Sequence, residues 1–186
     1  MATFLSPAPG LLHNALHWVD LHDQQVMRRL NRWRAPRWMR LWMIAATRGG
    51  DGWLWYATGT IVAIFGGPRR IQALGSAVVA IGLGIILFLR LKRFFNRKRP
   101  CAAEPHCWAK LLPPDQFSFP SGHTITAFAA AVALSAFYPE MRAGLFFCAA
   151  SIAASRIVLG MHYLTDVLAG AAVGSVLGAL SAILLG

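Results

Sequence analysis

Apolar residues along this 186-residue chain are bunched into long runs, with the polar residues collected between them. Runs of that kind make lipid, rather than water, the expected solvent. Five of them reach or approach the width of a bilayer: residues 53–66, 71–91, 124–138, 143–159 and 164–185. A helix rises about 1.5 Å per residue, so 71–91 alone matches a hydrocarbon core of about 30 Å. The first and third runs are short for a full span and are expected to begin below the interface or to lie beside longer neighbours. In the last run Gly170, Gly174 and Gly178 recur four apart on one face, a spacing that lets helix backbones approach closely in lipid.

The N-terminal quarter has another character. From His17 to Arg48 the chain mixes Trp33, Trp38 and Trp42 with Arg28, Arg29, Arg32, Arg34, Arg37 and Arg40. Arginine with tryptophan is the composition of a helix lying in the headgroup layer, and Pro36 is expected to divide it into two pieces. The pattern therefore predicts an all-α fold, a polytopic membrane helical bundle of about five transmembrane helices over residues 51–186. An amphipathic interfacial segment, residues 1–50, precedes it. The turns at 66–70 and 139–142 fall on one side of the membrane. The long polar loop 92–122 and the turn 160–163 fall on the other.

Composition agrees with lipid as the solvent. The apolar fraction is 56%, mean hydropathy is +0.50, and only 13% of residues are charged, where soluble domains average about 25%. Formal net charge is +11, from 18 Lys and Arg against 7 Asp and Glu. Such a balance suits nucleic acid, anionic lipid or a phosphorylated substrate. Nucleic-acid readers spread their charge along a soluble face, and this chain has little of one, so no nucleic-acid partner is expected. Cys148 lies in an apolar run as a small hydrophobe. Cys101 and Cys107 share a polar loop, where they either pair in an oxidising compartment or stand as two free thiols. Residues 1–10 lack the basic-then-apolar order of a signal peptide, so insertion is expected to use the internal apolar segments.

Three stretches carry candidate chemistry. The long loop opens with a cationic run, Lys92 to Pro100, which taken alone reads equally as an interfacial anchor. It closes with Pro120-Ser121-Gly122-His123 directly before an apolar run. Ser121 is a natural N-cap, Gly122 lets the backbone approach a ligand, and the unpaired first amides of the helix make an anion site beside the His123 imidazole. The third stretch is Ser155-Arg156, then His162, then Asp166. A buried arginine at position 156 costs about 2.5–3.5 kcal/mol on insertion scales, so it calls for a partner or a purpose. His162 and Asp166 are four apart, on one face of the last helix. A carboxylate there can accept the Nδ1 proton and leave Nε2 free as a nucleophile. By the expected topology all three stretches emerge on one side of the membrane. Lys92, Arg99 and Arg156, a helix N-terminus and two histidines then converge on a pocket for a phosphate of about −1.5 to −2 charge. His13, His17, His22 and His106 carry no comparable pattern. His13 and His17 could join Asp20 around a metal, although interfacial histidines are the simpler reading.

These stretches, Lys-x6-Arg-Pro at 92–100, Pro-Ser-Gly-His at 120–123 and Ser-Arg-x5-His-x3-Asp at 155–166, resemble the three signatures of the phosphatidic acid phosphatase type 2 family, which also contains vanadium haloperoxidases. The likeness extends from about Asp51 to the C-terminus. It implies that His162 attacks phosphorus, Asp166 orients it and His123 protonates the leaving oxygen. It also implies that Lys92, Arg99 and Arg156, with Ser121 and the Gly122 amide, hold the phosphate oxygens, and that neither metal nor cofactor is needed. Six-span relatives carry a first membrane helix that this sequence replaces with the interfacial segment.

The expected function is thus hydrolysis of a lipid phosphomonoester or diphosphate, such as phosphatidate, phosphatidylglycerol phosphate or a polyprenyl diphosphate, through a phosphohistidine. Lipid phosphotransfer, with an acceptor lipid in place of water, is the alternative within the same chemistry. A non-catalytic lipid-binding or transport protein on the same scaffold is the alternative of another class; loss of His162 or Asp166 would have suggested it, and both are present. A soluble haloperoxidase is disfavoured by the apolar runs. The partners expected are the lipid phosphate and the surrounding lipids of the cell (inner) membrane; sequence leaves the oligomeric state open. Basic residues on the catalytic side favour a cytoplasmic site. Family analogy and the two loop cysteines favour the exterior or periplasmic side, which is the reading adopted.

Overall fold

The computed structural model describes residues 10–33, 35–103 and 116–186. Eight α-helices account for most of them: α1 (Leu11–Arg32), α2 (Arg37–Arg48), α3 (Leu54–Phe65), α4 (Arg70–Phe95), the short α5 (Pro100–Ala103), α6 (Gly122–Phe137), α7 (Arg142–Val158) and α8 (Leu164–Leu185). The single break in the N-terminal segment falls between Arg32 and Arg37, with Pro36 at the cap of α2. A π-helical turn, Gly49–Trp53, joins α2 to α3.

α3, α4, α6, α7 and α8 form the bundle. Among the described residues, three segments are long and apolar enough to cross a membrane: Gly67–Phe95, Pro139–Val158 and Leu164–Leu185. α6, at 16 residues, and α3, at 12, rise only about 24 and 18 Å and run beside the longer helices. Leu83, Ile86, Leu89, Val176, Leu180 and Ile183 stay exposed on the outside, as expected where lipid rather than protein covers the surface.

The centre is built from small residues, which lets backbones do the packing. Ala127, Ala129, Ala130, Ala131 and Ala133 of α6 are buried. Gly170, Gly174 and Gly178 of α8 lie directly against that helix. A Cβ at 170 would sit 2.9 Å from the Ser121 carbonyl oxygen, and one at 178 would sit 2.7 Å from that of Ala129. At 174 it would collide with the Ile125 carbonyl oxygen. The glycines thus step along α8 in register with Ser121, Ile125 and Ala129, and the two helices descend in parallel from one end of the bundle. α4 completes the centre, where Ser76 and Ser181 share a buried hydrogen bond of 3.0 Å.

Every second chain reversal falls at that same end: the C-termini of α4 and α7 and the N-termini of α6 and α8. α4 stops at Asn96, which takes the left-handed conformation (φ 48°) that asparagine tolerates. The chain beyond it folds back, so that Lys98 and Phe117 pair as an antiparallel bridge and the Ser118 amide donates to the Arg97 carbonyl at 2.7 Å. α1 and α2 lie against this end as well. Asp23 of α1 accepts from the Thr165 amide at 3.2 Å, and Met43 of α2 packs on Leu159 and Met161.

Because α6 and α8 touch through backbone, Gly174→Ala is expected to cost about 1–3 kcal/mol by overpacking. Gly82→Ala, with nothing within 4 Å of its Cβ, is expected to leave stability unchanged. Thermal unfolding of the two variants in detergent checks the difference.

Candidate active site

The shared end holds a cavity of about 270 Å³ whose wall includes Asp51, Lys92, Arg99, Gly122, His123, Arg156 and His162. Six of the eight residues expected from sequence line it. The other two stand just behind the wall. Ser121 is fully buried beneath the start of α6, and Asp166 is fully buried behind His162.

Each group arrives from a different element. Lys92 comes from the last turn of α4, its ammonium 5.2 Å from the centre of the Phe88 ring. Arg99 precedes α5, and its Nη1 donates to the Met161 carbonyl at 2.9 Å. Arg156 lies in the last turn of α7 and donates to the Thr47 hydroxyl of α2 at 2.5 Å. Gly122 and His123 open α6, where free amides and the positive end of the helix dipole favour an anion. Ser121 occupies the cap position in extended backbone, yet its side chain makes no capping bond. Its Oγ instead accepts from the Thr124 hydroxyl at 2.9 Å. Its amide donates to the Asp166 carbonyl at 3.2 Å, which ties the start of α6 to the start of α8.

His162 does not sit on the face of α8 as the four-residue spacing suggested. α8 begins at Leu164, with Tyr163 extended at its cap, so His162 lies in the preceding bend. Its protonation follows from its partners. Nδ1 is 2.6 Å from the Ser118 carbonyl oxygen, which can only accept, so Nδ1 carries the hydrogen. Nε2 is 3.2 Å from Arg99 Nη1, which can only donate, so Nε2 carries the lone pair. Asp166 Oδ2 stands farther off, at 3.6 Å from Nδ1. The carbonyl of Ser118 is therefore the nearer group fixing the tautomer, and Asp166 adds its charge behind it. Burial, aided by the charges of Arg156 and Arg99 and opposed by Asp166, lowers the His162 pKa to about 4. The ring is neutral at physiological pH, with its lone pair on the nitrogen nearer the cations.

Asp166 is held in turn. Oδ2 accepts the Tyr163 amide at 2.8 Å, the reciprocal contact of a helix N-terminus. Oδ1 accepts from Arg97 Nη1 at 2.7 Å. Arg97 also bonds Asp20 at 2.6 Å and Asp23 at 2.7 Å, both on α1, and stacks 4.2 Å from the Tyr163 ring centre. Asp23 further accepts from the Thr165 hydroxyl. Burial works against the Arg97 charge, but Asp166, with hydrogen bonds to all three carboxylates, outweighs it and holds the guanidinium well above its usual value.

On the opposite wall His123 Nε2 meets Asp51 Oδ1 at 2.7 Å. Sequence reasoning passed over Asp51, Ser118, Arg97, Asp23 and Thr47, and considered Asp20 only as a metal partner of His13 and His17. A signal existed for some of them, because four of the chain's seven acidic residues (Asp20, Asp23, Asp51 and Asp166) gather here and three of those precede any signature. Among the described residues no three His, Cys, Asp or Glu side chains group as a metal site. The side chain of His13, and the whole of His106 and Cys107, lie outside the described residues.

Residues 73–185 match the PAP2 superfamily. Among curated proteins, the decaprenylphosphoryl-5-phosphoribose phosphatase of Mycobacterium tuberculosis is 33% identical over 152 residues, covering 74% of this chain and 78% of its own length. The lipid A 1-phosphatase of Rhizobium johnstonii is 29% identical over 155 residues, covering 73% and 63%. Of solved structures, Aquifex aeolicus LpxE superposes with a TM-score of 0.68 at 30% identity, covering 84% of this chain and 92% of its own. The PAP2-type phosphatidylglycerolphosphate phosphatase of Bacillus subtilis superposes with a TM-score of 0.69 at 25% identity, covering 90% and 87%. With the family matched over more than half its length and these relatives all lipid phosphatases, this chain is a membrane lipid phosphatase that belongs to the PAP2 superfamily.

Proposed function

We propose that the chain removes phosphate from a lipid phosphomonoester or diphosphate in two steps through a phosphohistidine at His162. One observation carries this reading: a buried, neutral imidazole whose Nε2 lone pair faces a cavity walled by Lys92, Arg99 and Arg156. In the first step Nε2 forms a bond to phosphorus, the bond from phosphorus to the leaving oxygen breaks, and that oxygen takes a proton from His123. In the second, His123 takes a proton from water, the hydroxide bonds to phosphorus, and the P–N bond breaks to release inorganic phosphate. Positive charge appears on the His162 ring in between. The Ser118 carbonyl at 2.6 Å and the Asp166 carboxylate at 3.6 Å are placed to stabilise it. The three cations and the amides at the start of α6 offset the charge of the phosphoryl oxygens, which is most of what phosphoryl transfer asks of a protein.

Substrate tails suit the bilayer around the bundle. Phosphatidate, phosphatidylglycerol phosphate, polyprenyl diphosphate and the sugar-linked lipid phosphates named for the relatives share the phosphate that the cavity would hold. We further propose that residues 1–50 lie in the headgroup layer. The arginines at 28, 29, 32, 37, 40 and 48 are exposed there, beside the exposed Trp18, Trp33, Trp38 and Trp42. The catalytic end, in this reading, faces the exterior of the cell membrane. Cationic side chains committed to phosphate are weak topology signals, and the loop with Cys101 and Cys107 suits an oxidising compartment.

Purified protein is expected to release phosphate from lipid phosphates in detergent, and His162→Ala to lower that rate on the order of 1000-fold or more. An unchanged rate would remove the nucleophile from the scheme. Nitrogen-15 NMR of histidine-labelled protein, with His162 assigned by difference from the alanine variant, is expected to show protonated Nδ1 and bare Nε2 as pH falls from 7 through 6.5. The ring gains its second proton only near pH 4, because its folded pKa is lowered to about 4. Cys101 is expected to react with an impermeant thiol reagent in intact, reductant-treated cells; labelling only after permeabilisation would reverse the assigned side.

A further inference from the structure

Among the residues on the cavity wall, Asp51 is a carboxylate beside three cations, and it belongs to none of the three signatures. The turn that presents it is made for the purpose. Gly52 sits at φ 120°, a conformation closed to side-chain-bearing residues. A Cβ on Gly50 would stand 2.9 Å from Ile152 Cγ2 and 3.2 Å from His123 Cδ2, so only glycine lets this stretch of backbone lie flat against the imidazole. The result is a 2.7 Å contact between Asp51 Oδ1 and His123 Nε2, with both side chains partly open to the cavity.

We infer that Asp51 is the positioning residue for the acid that protonates the leaving oxygen. This rests on the proposed reading of His123. An ionised carboxylate can only accept, so the Asp51 contact keeps a hydrogen on Nε2 and fixes the plane of the ring, which leaves Nδ1 as the nitrogen that gives up and regains a proton. Its negative charge also offsets the repulsion that an imidazolium at 123 meets from Lys92, Arg99 and Arg156 in so small a space. During the first step the P–O bond breaks and the leaving oxygen takes the Nδ1 proton of the His123 imidazolium, while the Nε2 hydrogen stays donated to Asp51. The neutral ring stays held by Asp51 and accepts the proton of water in the second step. The site then has two histidine–acceptor pairs with opposite tasks. Ser118 keeps the nucleophile's lone pair free, and Asp51 keeps the acid's ring in place.

Leaving groups of different basicity separate this role from a tether between the turn and α6. An alkoxide needs a proton to depart, whereas p-nitrophenolate leaves without one at neutral pH, and kcat/KM reports events up to that departure. On dioctanoyl phosphatidate, Asp51→Asn is expected to lower kcat/KM by about 10- to 100-fold. On p-nitrophenyl phosphate the same preparation is expected to lose less than about threefold. His123→Ala is expected to show the same selectivity, and the double variant to be no worse than His123→Ala alone. Asp51→Glu is expected to recover part of the loss on phosphatidate. Equal losses on both substrates in both Asp51 variants, or no loss on phosphatidate, would overturn the inference. Failure of the broader reading looks different: His162→Ala would then keep its rate on both substrates.

Discussion

α6 and α8 meet backbone to backbone, and the geometry of the cavity depends on that contact. With glycine at 170 beneath the Ser121 carbonyl, and Gly174 and Gly178 repeating the fit one and two turns below, the two helices start at the same height. The amide of Ser121 can then reach the Asp166 carbonyl, and the start of one helix lies beside the bend that carries His162. In lipid no hydrophobic force presses helices together, so close van der Waals contact between small residues must supply the specificity. The alanines of α6 continue the same solution outward to its other neighbours, α4 and α7.

Charge is organised around that contact in two layers. Lys92, Arg99 and Arg156 face the cavity and His162. Behind them, Asp166, Asp20 and Asp23 surround Arg97, which is not part of the cavity wall. Buried ions are tolerable only when partners and hydrogen bonds replace water, and the second layer meets that condition for Asp166. The carboxylate is thereby fixed in place at 3.6 Å from the histidine, where it supplies field more than a hydrogen bond.

The sequence displayed the parts whose chemistry is local. Lysine, arginine and histidine at fixed spacings named five cavity-lining groups, Gly122 a sixth, and the glycine repeat announced the helix contact. What escaped depends on the path of the chain. The partner of Nδ1 is a main-chain oxygen at position 118, which any residue type would supply, so no side-chain pattern could reveal it. Arg97 was hidden among five cations between Lys92 and Pro100, and only the fold tells which one turns inward. Asp20 and Asp23 were visible as an i, i+3 pair on a helix, but an interfacial helix usually shows such a pair to water. The His162–Asp166 spacing suggested a shared helical face. The bend before Leu164 changes that relation by lifting the imidazole off the helix toward Ser118, and the carboxylate stays behind as the third residue of α8.

The cavity is not the property of the stretch where ancestry can be read. Matched residues begin at 73, yet Asp20 and Asp23 hold Arg97, Thr47 holds Arg156, and Asp51 holds His123, all from upstream. A fragment cut at the start of α4 would retain every signature residue and lose these hydrogen-bond partners. A unit of this chain that keeps these contacts has to start at α1.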